Sequence, residues 1–388
     1  MASHTSATGC APGCTCHYRA VYQLTQAAEY GWLPADIRHL LRSQPPGLVA
    51  ALCVQAAADL GPGVTSAMAR VWRDTAAVSP PGSTGSHVPA SLLSKLSATN
   101  RLLGDATLVT AGLGYEAGRP QMPAEKRSDR PALLRRVRHL LDKAAATNFP
   151  AEAESFTAKA HELRQRYLLD ELQELPHDHP DTPVVERRFY LESPWVNYQF
   201  SLLVAIARAQ RCRGLLYSDL GIVSTFGTPE DLEITGELFS RLNRVRDLAM
   251  RIGPGAYHAA AHRQTSAYRR SFQYAFASRI GQRLLETNEA ALADSAADEG
   301  HRGALMVHLD RRERAAAEAL SQVCPSTKLV RLSAHHPGGY TDGFAAAEST
   351  PLGAELGSHQ NESGQHPAPD AGAGDALPAP QPPHPVTM

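Results

Sequence analysis

Arginines in the second half of the chain show the strongest positional bias in the sequence. Residues 241–283 contain nine arginines and one acidic residue, Asp247. Tyr268, Phe272 and Phe276 recur every four positions, which predicts a helix that packs its aromatic side chains inward and carries arginines on its flanks. Guanidinium groups on such flanks can bind phosphates, and counterion release would make this binding depend on salt. The predicted polyanion-binding residues are Arg263, Arg269, Arg270, Arg279 and Arg283.

Two alternatives stay open for these arginines. They can form ion pairs with acidic residues elsewhere, such as Glu230, Glu233 and Glu237, or they can simply be solvated on the helix surface. No helix-turn-helix or zinc-finger motif accompanies them. The pattern therefore predicts electrostatic contact with a polyanion, with nucleic acid as the first candidate, and no base-reading element.

A cluster of cysteines and one histidine near the start of the chain is the second candidate site. Cys10, Cys14, Cys16 and His17 lie within eight residues, and all four side chains are possible zinc ligands. Structural zinc sites usually hold two ligand pairs separated by a longer loop, and this cluster lacks the second pair. The pattern favours a flexible N-terminus with oxidisable thiols over a metal site, so no cofactor is predicted.

Two histidines on one predicted helix form the third candidate. His258 and His262 are four residues apart, so they share a helix face and could share a metal ion. A zinc peptidase of the His-Glu-x-x-His type needs a glutamate after the first histidine to activate water, and Ala259 stands there. Solvated histidines near the start of a helix are the favoured interpretation.

An α+β region is predicted to position these arginines and histidines. Runs of β-branched and aromatic residues predict strands, and apolar residues at helical spacing predict helices. Thr228 is a preferred N-cap, and Pro229 fits the first turn of the helix that follows. In chain order we expect a strand at 184–191, a helix at 195–210, a hairpin of 214–217 and 222–226, helices at 228–252, 257–286 and 303–323, and a last strand at 328–332.

A turn divides the helical region that is predicted near the start of the chain. Residues 31–36 read Gly-Trp-Leu-Pro-Ala-Asp, which interrupts the helical apolar spacing. Pro34 fits the first turn of the next helix, where its missing N–H costs nothing, and Trp32 can pack across the junction.

A helical hairpin is the clearest local signal, at residues 133–167. Leu133, Val137 and Leu140 belong to one apolar stripe, residues 147–150 break the helix, and a second stripe follows. The hairpin contains RVRHLLDKA at 136–144, TNFPAEAE at 147–154 and AKAHEL at 158–163. These motifs resemble the helical segment called domain of unknown function 2786. In actinobacterial proteins this resemblance implies the turn at 31–36 and a downstream α+β region at 195–343, and it implies no activity.

The predicted fold class is mainly α with an α+β domain, in which a small antiparallel sheet is packed with helices. Beyond about residue 350 the chain is rich in Gly, Pro, Ala and Ser, with too little apolar surface to order it. The predicted segments are a flexible N-terminus at 1–15, an N-terminal helical region at 16–75, a linker with one short helix at 76–131, the helical hairpin at 132–170, the α+β domain at 184–347 and a disordered tail at 348–388.

Composition narrows the possible functions of the chain. There are 38 Lys and Arg against 39 Asp and Glu, so the total charge favours neither bulk nucleic-acid binding nor a membrane surface. No apolar run reaches the length of a membrane span, and the first residues lack the features of a signal peptide. We therefore expect a cytoplasmic protein with reduced cysteines and no membrane partner.

The leading hypothesis is a protein that binds nucleic acid or another polyanion through the Arg-rich helix. Enzymatic activity stays open, and a non-enzymatic role is favoured. The alternatives are a metal-dependent hydrolase-like enzyme built around His258, His262 or the cleft of the α+β domain, and a protein-interaction module that uses the helical hairpin. The sequence does not identify protein partners.

Overall fold

The computed structural model describes residues 15–78, 88–99, 183–295 and 299–350, together with a few isolated positions. Within these ranges the chain forms mostly helices and a small antiparallel sheet, which confirms the predicted fold class. The predicted helical hairpin at 132–170 and nearly all of the predicted tail at 348–388 lie outside these ranges, apart from a few isolated positions. The elements are α1 Thr15–Glu29, α2 Pro34–Leu40, α3 Pro46–Ala58, α4 Ser66–Val78, α5 Ala90–Ser97, β1 Val185–Tyr190, α6 Val196–Ala209, β2 Arg213–Tyr217, β3 Ile222–Gly227, α7 Pro229–Ile252, α8 Pro254–Ala261, α9 Thr265–Ser295, α10 Glu299–Val323 and α11 Pro337–Glu348.

Three antiparallel strands form the sheet in the order β1-β3-β2, so β3 is the central strand. The predicted hairpin of β2 and β3 is confirmed, and its turn ends at Gly221, which has a φ of 67°. A Cβ atom at this position would lie 2.7 Å from the Leu191 carbonyl oxygen. Only glycine combines this backbone conformation with that approach. The predicted Thr228 cap of α7 is also confirmed, since its Oγ1 accepts the backbone N–H of Asp231 at 3.3 Å.

Helices cover both faces of the sheet and form two apolar cores. One core joins α1 to α5 with Ile222 of β3 and is centred on the buried side chains of Trp32 and Trp72. The indole N–H of Trp72 donates to the Trp32 carbonyl oxygen at 3.0 Å, so the buried donor is satisfied. The other core joins Val223 of β3 to α6, α7 and α9. Adjacent residues of a strand point to opposite faces of the sheet. Since Ile222 belongs to the first core and Val223 to the second, the N-terminal helices pack against one face of the sheet and α6, α7 and α9 against the other.

An additional helix, α11, packs lengthwise against α9 and was not predicted. Gly339 and Gly343 face the backbone of α9, and a Cβ atom at either position would overlap the carbonyl oxygens of Tyr268 and Phe272. Ala347 is fully buried one turn further on. Small residues every four positions therefore let the two backbones approach closely.

Two of the element predictions are wrong in detail. The predicted strand at 328–332 has no regular secondary structure, and Leu329 is 64 % exposed, so a strand there would bury little apolar surface. The predicted helix at 257–286 is two helices, because Arg263 between them has a φ of 57° and ends α8. None of the described helices combines the length and apolarity that a membrane crossing requires.

Candidate functional site

The first part of the candidate site is the corner between α8 and α9, where three of the predicted arginines lie. The backbone N–H of Gln264 donates to the Ala259 carbonyl oxygen at 2.7 Å and closes α8. Arg263 follows α8 and is exposed, whereas Arg269 and Arg270 lie in the first two turns of α9 and are half-buried. Arg270 Nη1 donates to Ser266 Oγ at 3.4 Å. In the part of the chain that the structure describes, none of these three guanidinium groups pairs with a carboxylate.

The other two predicted arginines bind the C-terminal end of α11. Arg283 is 4 % exposed and donates through Nη1 to the carbonyl oxygens of Ala347 and Thr350, the latter at 2.5 Å. Arg279 donates to Glu348 at 2.6 Å and to Glu286 at 2.9 Å. A cation at the negative end of a helix is electrostatically favourable. Arg283 binds carbonyl groups there, whereas Arg279 binds carboxylates. Their charge is therefore used within the fold.

Further exposed cations lie on α7, which precedes α8, and on the segment before α11. Arg244 and Arg251 on α7 are exposed, as are Lys328 and Arg331 in the segment before α11. The ranges 241–285 and 325–342 contain two acidic residues, and both accept hydrogen bonds within the protein. Asp247 accepts from the buried Arg246 at 2.8 Å, and Asp342 accepts from Tyr268 Oη and from the Gly255 N–H, each at 2.7 Å. The corner is thus locally cationic although the whole chain is nearly neutral.

His258 of α8 and His262, which follows the helix directly, are both exposed at the same corner. Their rings stack with centroids 4.0 Å apart, and His262 Nδ1 lies 2.9 Å from the His258 carbonyl oxygen. No group of three or more His, Cys, Asp or Glu side chains that could hold a metal ion occurs in the described ranges. The pair fits the favoured interpretation of solvated histidines.

The predicted cysteine and histidine cluster is only partly described. Cys10 and Cys14 lie outside the described residues. Cys16 and His17 are in the first turn of α1, where Cys16 packs against the first core and the buried His17 ring contacts Gln55 Oε1 through Nε2. His17 is therefore oriented towards α3.

A shallow pocket in the N-terminal helices contains a thiol. Pro34, Cys53 and Trp72 are among the residues that line it. Burial raises the pKa of Cys53 to about 12, so the thiol stays protonated near neutral pH. This environment is that of a structural cysteine and not of a nucleophile.

A buried polar network, which sequence reasoning missed, joins the Gly31–Asp36 turn to β1. Asp36 is fully buried and accepts the Leu33 N–H at 2.7 Å and Tyr190 Oη at 2.8 Å. It also forms an ion pair with Arg188, whose Nη1 donates to the Gly31 carbonyl oxygen at 2.9 Å. The turn is thus fixed on the sheet by charge-assisted hydrogen bonds.

A second buried carboxylate shares the same guanidinium. Glu186 Oε1 accepts from Ser224 Oγ at 2.5 Å and from Arg188 Nε at 3.3 Å. Its Oε2 has no hydrogen-bond partner in the described part of the protein. Burial raises the pKa of Glu186, and the nearby Arg188 opposes that shift. Alternating polar residues in β1, Glu186, Arg188 and Tyr190, are the sequence signal that could have indicated this network.

Comparison with known proteins identifies one segment of the chain. A family model described as protein of unknown function (DUF2786) matches residues 132–171, which confirms the resemblance of that segment. It covers about a tenth of the chain and, apart from isolated positions, lies outside the described residues. No curated protein and no solved structure matches the chain. The wider resemblance, over the downstream α+β region of actinobacterial proteins, stays a prediction.

Proposed function

We propose that the protein binds a polyanion, with nucleic acid as the first candidate, through Arg263, Arg269 and Arg270 at the α8–α9 corner. One observation carries this proposal. These three guanidinium groups have no carboxylate partner in the described ranges, whereas Arg279 and Arg283 of the same helix are bound to α11. Cations that the fold does not neutralise are the ones that can neutralise phosphates.

The surroundings of the corner support the same function. The segment before α11 is fixed to α9 and to the corner, since the His336 N–H donates to Ser271 Oγ at 2.8 Å and the His336 ring lies 3.1 Å from Gln264 Oε1. Asp342 ties α11 to the start of α8 and to Tyr268. Arg331 is exposed in this segment, and Arg251 is exposed in the last turn of α7, directly before α8. A rigid, locally cationic surface attracts polyanions over about 10 Å in 0.1 M salt.

The expected salt dependence follows from the number of arginines. Three phosphate contacts give a slope of log K against log salt of roughly −2 for single strands and −2.7 for duplexes. Between 50 and 200 mM salt, affinity should then fall by roughly 20- to 40-fold. Contacts by neighbouring cations would steepen this dependence.

The test measures binding of labelled random-sequence DNA and RNA by fluorescence anisotropy. We expect the triple variant Arg263→Ala, Arg269→Ala, Arg270→Ala to bind at least about 10-fold more weakly than the native protein at 50 mM salt. The matched control is Arg19→Ala, Arg70→Ala, Arg73→Ala, which removes the same charge from exposed positions on α1 and α4. It should bind like the native protein.

A second comparison uses the arginines that the fold neutralises. Arg279→Ala should leave the affinity within about twofold of native, because Glu286 and Glu348 already occupy this guanidinium. Equal losses in the triple variant and in the matched control would refute the proposed surface. Absence of binding by the native protein at low salt would refute polyanion binding altogether.

A further inference from the structure

Three large apolar side chains are exposed on α7 and α8, the two helices that precede the cationic corner. Leu248 and Ile252 are 58 % and 73 % exposed, and they lie four residues apart on one face of α7. Tyr257 is 86 % exposed and lies on α8, five positions after Ile252. We call Leu248, Ile252 and Tyr257 the apolar ridge. Single exposed apolar residues are ordinary, but a group at one place indicates a binding surface.

Tyr257, the aromatic residue of the ridge, lies on a helix whose position is fixed by hydrogen bonds. Ala259 of α8 is fully buried, which orients Tyr257 to the opposite, outer side of this short helix. The start of α8 is held by the hydrogen bond from the Gly255 N–H to Asp342. The stacked rings of His258 and His262 lie on the same helix. The helix that carries the tyrosine is therefore fixed, and the exposed ring can contact a flat partner.

The charges around the ridge limit what can cover it. Arg244 and Arg251 are exposed on α7 at either side of Leu248, and Asp247 between them is held by Arg246. In a symmetric contact with a second copy of this chain, these arginines would lie close to the same arginines of the other copy. Like charges at a contact oppose association, so a second copy is disfavoured. The charge complementarity is with an anion that also offers apolar faces.

We propose that the ridge binds single-stranded nucleic acid, with an unpaired base stacked on Tyr257 and phosphates bound by the surrounding arginines. This inference rests on the proposed function and specifies its ligand. Single-stranded binding sites combine a cationic groove with aromatic side chains on which bases stack. A duplex buries its base faces between neighbouring pairs, so it would meet the arginines and leave the ridge exposed.

The experiment compares a labelled single-stranded oligonucleotide with a duplex of the same length. Stacking on one aromatic side chain is worth about 5- to 150-fold in affinity. Tyr257→Ala should weaken single-strand binding by a factor in that range and change duplex binding by less than twofold. Tyr257→Phe should keep the native affinity, because the ring remains. The control Tyr18→Ala removes a 67 % exposed tyrosine of α1 and should bind like the native protein.

The salt dependence separates stacking from a general disturbance of the surface. Tyr257→Ala should keep the native slope of log K against log salt, because a base stack releases no counterions. A duplex preference in the native protein, or equal losses for single strand and duplex, would overturn this inference and leave the proposed function standing. Binding of anionic lipid vesicles or of polyglutamate that depends on Tyr257 would also overturn it. If neither nucleic acid binds, the proposed function fails as well.

Discussion

Removal of the Asp36 carboxylate tests how the N-terminal helices are held on the sheet. In Asp36→Ala, Arg188 would keep Glu186 and the Gly31 carbonyl oxygen as partners, while Tyr190 Oη and the Leu33 N–H would lose theirs. Loss of one partner of a buried ion pair costs about 3 to 5 kcal/mol. Since the whole margin of a folded domain is about 5 to 15 kcal/mol, this variant should be severely destabilised.

The assays are thermal and urea unfolding followed by circular dichroism, together with hydrogen exchange of α1 to α5. We expect a decrease in melting temperature of roughly 6 to 20 °C and a selective loss of protection in these helices. Asp74→Ala, which removes an exposed carboxylate from α4, should change the unfolding free energy by less than about 0.5 kcal/mol.

A double variant distinguishes the buried charge from general packing. Asp36→Ala combined with Arg188→Met removes the ion pair but leaves Glu186 without its guanidinium, so the double variant should cost less than the sum of the two single variants without regaining native stability. A decrease of less than about 1 kcal/mol in the unfolding free energy of Asp36→Ala would refute a stabilising role of this ion pair. This role is also refuted if the double variant is as unstable as the sum of the two single variants.

Two further predictions concern the other buried contacts. Because burial raises the pKa of Glu186 above 4.5, its proton stabilises the native state at low pH, and this contribution is lost as pH rises through the folded-state pKa. Glu186→Gln should therefore gain stability relative to the native protein as pH rises above 4.5 in urea titrations, and a constant difference would contradict the shift. The added methyl group of Gly343→Ala would overlap the α9 backbone, so this variant should lower the unfolding free energy by about 1 to 3 kcal/mol or more in thermal unfolding. The control Gly303→Ala, whose methyl group meets nothing within 4 Å, should be neutral or stabilising. Equal effects of the two substitutions would contradict the close approach of α11 to α9.

Much of the fold could be predicted from the sequence because its signals are local. The hairpin of β2 and β3 and the cap at Thr228 follow from turn and cap residues. Helix α11 begins Pro-Gly-Gly, and because glycine disfavours helix interiors this helix depends on its close packing against α9. The break at Arg263 likewise requires a backbone conformation that non-glycine residues seldom adopt.

The candidate site could be predicted only in part for a related reason. The sequence indicates which arginines share a helix, but Arg283 is neutralised by the end of α11, 64 residues further along the chain. The ion pair of Asp36 and Arg188 joins residues 152 positions apart. The sequence does not single out Tyr257, because exposure of a ring is a property of the folded surface.

Polyanion binding depends most on the three arginines at the α8–α9 corner, which have no carboxylate partner in the described part of the chain. The most direct measurement is the slope of log K against log salt for an unlabelled single strand, compared between the native protein and the triple arginine variant by competition. If the three arginines bind phosphates, the slope of the variant should be shallower by about 2, which corresponds to three lost phosphate contacts. Identical slopes would show that these arginines do not contact phosphate and would contradict the proposed function.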